Sequence, residues 1–338
     1  MTSAMSRSAK IDPAHILDGL WVPRAGKGLA LYEVRATHGS EVIKFEGVQL
    51  DVRHQSLLWA IAALTTRSDV GNCQLIGSGT NDRLLQKQLD LLGPKLLDPA
   101  LAPSNKGADY AVVKCKIYAI LRDAGLETNS EGYQEAIELL HQMSTVVMYV
   151  GVVGTKEAKK GRKAAAASEV KPKQQQYGYT SHLLSFQHGD PDLDGDIMIT
   201  VNTRMTAALI GKQNIQVSLF ERQALSQSPV AKILHSWLSN TIRLGGSLMA
   251  GRGASIDALI PHIWGNRPPR AAIYSVTMAQ RRSQIKKALD LIGKLHGWVY
   301  VIEENHVFVS RPKELPWARK PPKTNRKADT SRLSGIGL

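Results

Sequence analysis

Apolar residues recur with a helical period and then with a strand period near the end of the chain. In the segment "TMAQRRSQIKKALDLIGKLHGWVYVIEENHVFVSRP" (277–312), Ile285, Leu289 and Ile292 form one apolar stripe of a helix. Thr277 and Gln280 have the T-x-x-Q spacing of a capping box. After Gly297, the runs "WVYVI" and "HVFVS" alternate as strands do. The pattern predicts a capped helix followed by a β-hairpin.

The elements before this helix follow a simple order. "IQVSLF" favours a strand, and "SPVAKILHSWLSNTI" favours a helix with Ser228 as its N-cap and Pro229 at its first position. "SIDALIPHIWG" is typical of a short helix. Three helices and a hairpin in this order are the elements of a winged-helix domain, in which a helix-turn-helix is followed by a β-hairpin called the wing.

A looser version of the same order is predicted in the first half of the chain. "EVIKFEGVQLDV" and "STVVMYVGVV" favour strands, and "YTSHLLSFQ" and "DIMITV" favour a hairpin around "HGDPDLDG". Leu57, Leu58, Ile61 and Leu64 are spaced as on an amphipathic helix. "KCKIYAILRDAGL" and "SEGYQEAIELLHQM" predict two further helices, the second with Ser130 as N-cap.

Between the strands of the first half lies a basic segment with little to bury. Residues 154–178, "GTKEAKKGRKAAAASEVKPKQQQYG", are predicted to form a mobile loop at the place of a wing. The predicted fold class is therefore α+β, with two tandem winged-helix domains. We predict a first domain at 1–203 that carries this long basic wing loop, a second domain at 204–313, and a disordered basic tail at 314–338.

Composition limits the classes of protein that the chain can belong to. Its 338 residues are 43% hydrophobic, and no apolar run reaches the length of a membrane helix, so we expect no membrane association. The first residues, "MTSAMSRSAKIDPAH", lack the apolar core of a secretory signal. Only Cys73 and Cys115 occur, which favours a reducing cytoplasm over a disulfide framework.

The net charge of +14 is concentrated in two stretches. Residues 156–173 carry +5 and residues 311–332 carry +6, so the remainder of the chain is close to neutral. A basic face on the folded part must therefore be local. A polyanion such as DNA is the natural partner of this charge pattern, although basic segments without such a partner remain an alternative.

The helix at 277–294 offers such a local face. Arginine and glutamine can each pair with a base edge through two hydrogen bonds, whereas lysine mainly contacts phosphate. The predicted DNA-binding residues of this helix are Arg281, Arg282, Ser283, Gln284, Lys286, Lys287 and Lys294. Flanking or loop contacts are predicted for Arg267, Arg270, Lys156, Lys159, Lys160, Arg162 and Lys163. A solvated helix face with incidental cations is the alternative.

The corresponding helix of the first half does not favour DNA. Glu131, Glu135 and Glu138 make it acidic, and carboxylates that face phosphates weaken binding. We therefore expect this helix to contact a protein partner, and the basic loop to follow the DNA backbone.

Motifs for catalysis or metal binding are not found. No Gly-Lys pair completes G-x-x-x-x-G-K-[ST], so the sequence does not indicate ATP hydrolysis. A calcium loop that starts at Asp190 would need Glu at its twelfth position, which is Val201. His182, His188, His235 and His262 match no known ligand spacing. The sequence predicts a binding protein without a cofactor or metal and not an enzyme.

Three segments resemble a known family. "KIDPAHILDGLW", "ASIDALIPHIWG" and "MAQRRSQIKKALDLIGKLHGWVYVIEENHVFVSRPK" are similar to segments of RepC, the replication initiator of IncQ-type plasmids, in order from about residue 10 to 313. The resemblance implies two winged-helix domains that bind direct repeats (iterons) in origin DNA and help open an adjacent A+T-rich segment. It also implies recruitment of a plasmid-encoded helicase and primase, and no catalytic residues. A homodimer is left open. The 154–178 loop is longer than the family's short basic wing.

Two rival functions remain open at this point. A winged-helix transcriptional repressor would need the same DNA surface but no helicase partner. A protein–protein adaptor would use the charged faces to dock acidic partners, and it would show no sequence preference on DNA.

Overall fold

The computed structural model describes residues 8–24, 34–38, 41–65, 73–76, 110–152, 177–188, 196–209, 214–225, 228–265 and 277–314. Two short 3-10 helices span Pro13–Ile16 and Leu248–Gly251. The α-helices in these ranges are α1 (Val52–Thr65), α2 (Ile117–Ala124), α3 (Ser130–Thr145), α4 (Thr203–Leu209), α5 (Leu219–Ala224), α6 (Pro229–Thr241), α7 (Ile256–Trp264) and α8 (Met278–Ile292). The strands are β1 (Ser8–Ile11), β2 (Trp21–Val22), β3 (Val34–His38), β4 (Glu41–Glu46), β5 (Leu50–Asp51), β6 (Cys73–Ile76), β7 (Tyr110–Lys116), β8 (Val147–Val152), β9 (Tyr177–His182), β10 (Leu184–His188), β11 (Asp196–Val201), β12 (Ile215–Ser218), β13 (Ala254–Ser255), β14 (Val299–Glu303) and β15 (His306–Ser310).

The C-terminal module has the winged-helix topology predicted from the sequence. Its order is α6, β13, α7, α8, β14 and β15, and its antiparallel sheet has the strand order β13-β15-β14. The hairpin β14–β15 pairs from Val299 with Ser310 to Glu303 with His306. Helix α8 is thus the third helix of the module, and the hairpin after it is the wing.

Local capping explains where these helices begin. The Ser228 side chain accepts a hydrogen bond from the Ala231 amide at 3.2 Å, and Pro229 occupies the first turn of α6, both as predicted. Ser255 caps α7 in the same way through the Ala258 amide. Each cap satisfies an amide that lacks a partner within the helix.

The N-terminal module repeats the order of three helices followed by a pair of strands. Its elements are α1, β7, α2, α3, β8 and β9, and β8 and β9 pair antiparallel within the sheet β3-β4-β8-β9. The predicted wing loop at 154–178 connects these two strands, but β9 already begins at Tyr177. Residues 153–176 lie outside the described ranges. The predicted hairpin of β10 and β11 is confirmed.

Two helix starts in this module differ from the prediction. The N-cap of α3 is Asn129, whose side chain accepts from the Gly132 amide at 2.8 Å, and Ser130 is already helical. Helix α2 begins at Ile117, because residues 114–116 belong to β7 and pair with β11. Strand pairing with a distant segment decides this boundary, and the local sequence does not reveal it.

Helix α1 is buried on nearly all sides, whereas the sequence predicted an amphipathic helix. His54, Gln55 and Ser56 are buried together with the leucines of the predicted stripe. Buried polar side chains need partners, and His54 bonds Asp51 at 2.9 Å and Gln142 at 2.8 Å. The prediction was wrong because the polar face of α1 packs against other elements and not against water.

The N-terminal segment (residues 8–24) packs against the C-terminal module. Strand β1 pairs antiparallel with β12, from Ser8 with Ser218 to Ile11 with Ile215. Gly19 lies so close to Gly265 that a Cβ on Gly265 would be 2.9 Å from the Gly19 Cα. The division at 203/204 remains a prediction, but this segment of the first predicted domain contacts the second.

Polar side chains also join the two modules directly. The buried Arg222 of α5 donates to the Ser56 hydroxyl of α1 at 3.0 Å and to the Ser236 hydroxyl of α6 at 2.5 Å. The indole of Trp59 lies 3.4 Å from the same Ser236 hydroxyl. One hydrophobic cluster contains core residues of both modules, so α1 and α6 share a buried boundary.

Candidate nucleic-acid interface

The N-terminus of α8 is fixed by the capping box predicted from its sequence. The Thr277 hydroxyl accepts from the Gln280 amide at 3.2 Å, and the Gln280 side chain accepts from the Thr277 amide at 2.8 Å. The two bonds satisfy amides at both ends of the first turn. The helix therefore begins at a defined residue, and the side chains of its first two turns have defined directions.

Helix α8 has one buried stripe and one exposed basic face. Ile285, Leu289 and Ile292 are buried as predicted, together with Ala288. The exposed side chains include five of the predicted DNA-binding residues on the helix: Arg282, Ser283, Gln284, Lys286 and Lys287. The helix ends at Ile292, so Lys294 lies in the turn beyond it, where it is also exposed.

Arg281 does not share this exposed face. Only 7% of it is accessible, and its guanidinium carbon lies 5.4 Å from the centre of the Trp264 ring at the end of α7. Arg281 precedes Ile285 by four residues and so continues the apolar stripe. That spacing was the signal in the sequence that could have predicted the burial of Arg281. A buried cation stacked on an indole packs α8 against α7, and this placement does not fit the predicted base contact of Arg281.

Arg282 is exposed, but it is paired. Its Nε and Nη2 atoms donate to the two carboxylate oxygens of Asp257 at 2.6 and 2.7 Å. Asp257 lies in the first turn of α7, and 37% of its side chain is accessible. The hydrogen bond from Arg282 is the main reason that the pKa of Asp257 lies below its usual value. The sequence does not indicate Asp257 as the partner, because it lies 25 residues from Arg282.

The tip of the wing docks beside this ion pair. The Ile256 amide at the start of α7 donates to the Asn305 carbonyl of the tip at 2.8 Å. Glu303 and Glu304 next to Asn305 are exposed. The wing tip is therefore acidic, and it is held against α7 within the same corner of the module as Asp257 and Arg282.

The base of the wing is held against the C-terminal end of α8. The Tyr300 hydroxyl of β14 donates a short hydrogen bond to the Asp290 carboxylate of α8. Gly293 lets the ring approach, because a Cβ there would lie 2.5 Å from the Tyr300 ring. These contacts hold the wing and α8 in a fixed position relative to each other.

The remaining predicted DNA contacts follow α7 or belong to the basic loop of the first half. Arg267 and Arg270 lie outside the described residues, as does the basic cluster Lys156, Lys159, Lys160, Arg162 and Lys163. Their predicted roles stay predictions.

The third helix of the N-terminal module is acidic, as the sequence indicated. Glu131 and Glu138 of α3 are exposed, and Glu135 accepts a hydrogen bond from Arg53 at 2.6 Å. This face carries carboxylates where α8 carries cations. The two modules therefore present opposite charges on corresponding helices.

Histidines of the described residues make structural contacts. His182 bonds the Ser144 carbonyl, His235 bonds Glu221, and His262 bonds Asp18. Within the described ranges no group of three or more His, Cys, Asp or Glu side chains is arranged to hold a metal ion. The described helices also include none with the length and apolar character needed to span a membrane.

Comparison with known proteins decides the family. A family model described as Replication protein C (RepC) matches residues 78–313, more than two thirds of the chain. The chain belongs to the RepC family. RepC proteins are replication initiators, so the function of this chain lies in the initiation of DNA replication, and the resemblance predicted from the sequence is confirmed. A search of curated proteins gave no match.

One solved structure supports the fold assignment of this RepC-family chain. A crystal structure of domains 2 and 3 of RctB has a TM-score of 0.52 and 9% sequence identity, and it covers 90% of this chain and 100% of the other. A second structure of RctB domains 2–3 has a TM-score of 0.48 and 9% identity, covering 88% of this chain and 96% of the other. The chain therefore has an α+β, winged-helix-like fold, as predicted.

Removal of two exposed lysines tests whether α8 faces DNA. Lys286→Ala with Lys287→Ala should lower the affinity for duplex DNA of any sequence, because both side chains can meet phosphates. The slope of log affinity against log salt should become shallower by about 2. Fluorescence anisotropy titrations at several salt concentrations measure this slope. Lys114→Ala, which removes an exposed lysine of β7, is the control. An equal change of slope in the control would argue against a special role of α8.

Proposed function

We propose that this RepC-family chain binds direct repeats (iterons) in double-stranded plasmid origin DNA through α8. The observation that carries the proposal is the position of α8: it is the third helix of a winged-helix module, it is capped, and its exposed face is basic. Helices in this position enter the major groove. Arg282 and Gln284 would read bases, and Lys286, Lys287 and Lys294 would contact phosphates.

Later steps of initiation complete the proposal. Bound chains would promote opening of an adjacent A+T-rich segment and recruit a plasmid-encoded helicase and primase. Two copies of the chain would also form a homodimer. Deformation of a binding site costs only a few kcal/mol and can be offset by additional contacts. The chain would act by binding alone, without catalysis, in the bacterial cytoplasm.

The test compares two duplexes, one that carries the direct repeat of the plasmid's own origin and one with the same bases shuffled. Fluorescence anisotropy from about 50 to 200 mM salt should show a preference for the repeat that persists as total affinity falls. Binding of both duplexes with equal affinity at every salt concentration would overturn the proposal and favour the adaptor function.

The variant Arg282→Ala tests base reading. We expect the affinity for the repeat to fall by about 10-fold to 100-fold, because a pair of hydrogen bonds to one base is lost. Affinity for the shuffled duplex should change little. Gln284→Ala is a second variant, which removes the other proposed base contact on the exposed face of α8. Equal losses on both duplexes for Arg282→Ala would exclude Arg282 as a base reader.

A transcriptional repressor would pass these binding tests. The distinguishing measurement is permanganate reactivity of thymines in the A+T-rich segment of a supercoiled origin plasmid. An initiator should make these thymines reactive, whereas a repressor should leave them paired.

A further inference from the structure

The ion pair between Asp257 and Arg282 occupies one of the two hydrogen-bonding edges of the Arg282 guanidinium. A guanidinium group recognises guanine or phosphate through two parallel N–H donors. Here Nε and Nη2 both point at Asp257, at 2.6 and 2.7 Å. The opposite edge, formed by Nη1 and Nη2, faces away from Asp257, so the ion pair fixes the direction in which this edge points.

The carboxylate of Asp257 is held in place from several sides. It belongs to the first turn of α7, whose N-cap Ser255 fixes the start of the helix. The wing tip bonds the same turn through the Asn305 carbonyl and the Ile256 amide. Negative charge is favourable in the first turn of a helix. Asp257 is therefore a fixed partner of Arg282, and it lies on the side of α7 that α8 and the wing tip share.

We propose that Asp257 determines specificity by fixing the direction of Arg282, an inference that rests on the proposed function of α8. The Nη1 and Nη2 edge can donate two hydrogen bonds to a guanine while the bonds to Asp257 stay in place. A phosphate of random DNA in another direction is reached only when the ion pair breaks. That break leaves the Asp257 carboxylate unpaired beside the DNA backbone. Asp257 thus lowers binding to random DNA more than binding to the repeat.

The test is Asp257→Asn in the full-length chain, measured on repeat and shuffled duplexes. Because one cation is released and one anion is removed, affinity for the shuffled duplex should rise about 3-fold to 10-fold, with a salt dependence steeper by about 1. Affinity for the repeat should rise less than about 2-fold, so the preference for the repeat should fall. In the Arg282→Ala background, the same substitution should no longer change the preference.

Glu303→Gln is the matched control, because it removes one exposed carboxylate from the same corner without touching the ion pair. It should raise both affinities alike and keep the preference of the wild type. If Asp257→Asn behaves like Glu303→Gln, or lowers both affinities together with thermal stability, the specificity role is excluded and the pair only supports the fold. Absence of any preference in the wild type would instead overturn the proposed function itself.

Discussion

Replacement of Trp59 by alanine should lower the free energy of unfolding by about 3–5 kcal/mol. Trp59 lies in the middle of α1 and is completely buried. Its ring packs edge-on against Trp21 at a centroid distance of 5.8 Å and an interplanar angle of 70°. Truncation leaves a large cavity at the boundary of the modules, because α1 contacts both the N-terminal segment and α6. Urea denaturation followed by far-ultraviolet circular dichroism measures the loss.

Phe220→Ala provides the control for Trp59→Ala. Phe220 is an aromatic residue of α5, but 65% of it is exposed, so its removal should cost less than about 0.5 kcal/mol. Trp59→Phe should fall between the two variants, since it keeps a ring against Trp21. Similar losses for Trp59→Ala and Phe220→Ala would show that the boundary between the modules contributes little to stability.

Local signals in the C-terminal module were sufficient to predict its three helices and its hairpin. The caps at Ser228 and Thr277 lie within three residues of the amides they bond, so the sequence contains both partners. The apolar stripe of α8 likewise needs only the period of the helix. Elements whose boundaries depend on neighbours in sequence were predicted within one or two residues.

Contacts between distant segments were not predictable in this way. The burial of α1 depends on elements before and after it along the chain. The pairing of β1 with β12 joins residues 204 or more positions apart, and it exists only in the folded state. Periodicity shows which face of an element is apolar. It does not show whether the polar face meets water, and His54 and Gln55 illustrate the difference.

The candidate site also combines features that local sequence predicts with contacts that form only in the folded protein. Capping and charge identified α8 and its exposed cations, which the structure places on one face. The burial of Arg281 could have been found from its place on the stripe, four residues before Ile285. The partner of Arg282 could not, because Asp257 becomes its neighbour only when α7 packs against α8. Sequence thus locates the cations, and the fold decides which of them are available.

Acid should destabilise the protein because His15 is buried as a neutral imidazole. His15 lies in the 3-10 helix Pro13–Ile16 and has no accessible surface. Its Nε2 lies 3.1 Å from the Asn202 side-chain nitrogen, which donates to it. Burial lowers the pKa of His15 from 6.5 to about 4. Burial likewise lowers the pKa of His235, which adds to the same sensitivity.

The sign of the effect follows from proton uptake. Between pH 6.5 and pH 4 the unfolded chain binds a proton at His15 that the folded protein excludes. The free energy of unfolding is therefore unaffected by His15 above pH 6.5, and it decreases as the pH falls below this value. Each pH unit lowers the free energy of unfolding by about 1.4 kcal/mol, and His15 alone should lower it by about 3 kcal/mol at pH 4. Urea midpoints measured from pH 7.5 to 4.5 follow this loss. Measurements above pH 4 also avoid the protonation of Asp51. Burial alone would raise the pKa of Asp51, but its bonds to His54 and Arg53 lower the pKa by more.

A histidine variant separates His15 from the other titrating groups. His15→Gln keeps a polar side chain beside Asn202 but cannot take up the proton, so the stability profile between pH 6.5 and 4.5 should flatten by about one proton. His296→Gln removes an exposed histidine after α8 and should leave the profile unchanged. An unchanged slope in His15→Gln would mean that the imidazole becomes accessible before the protein unfolds. The N-terminal segment would then detach from the core first, since His15 is buried between Phe45 and α6.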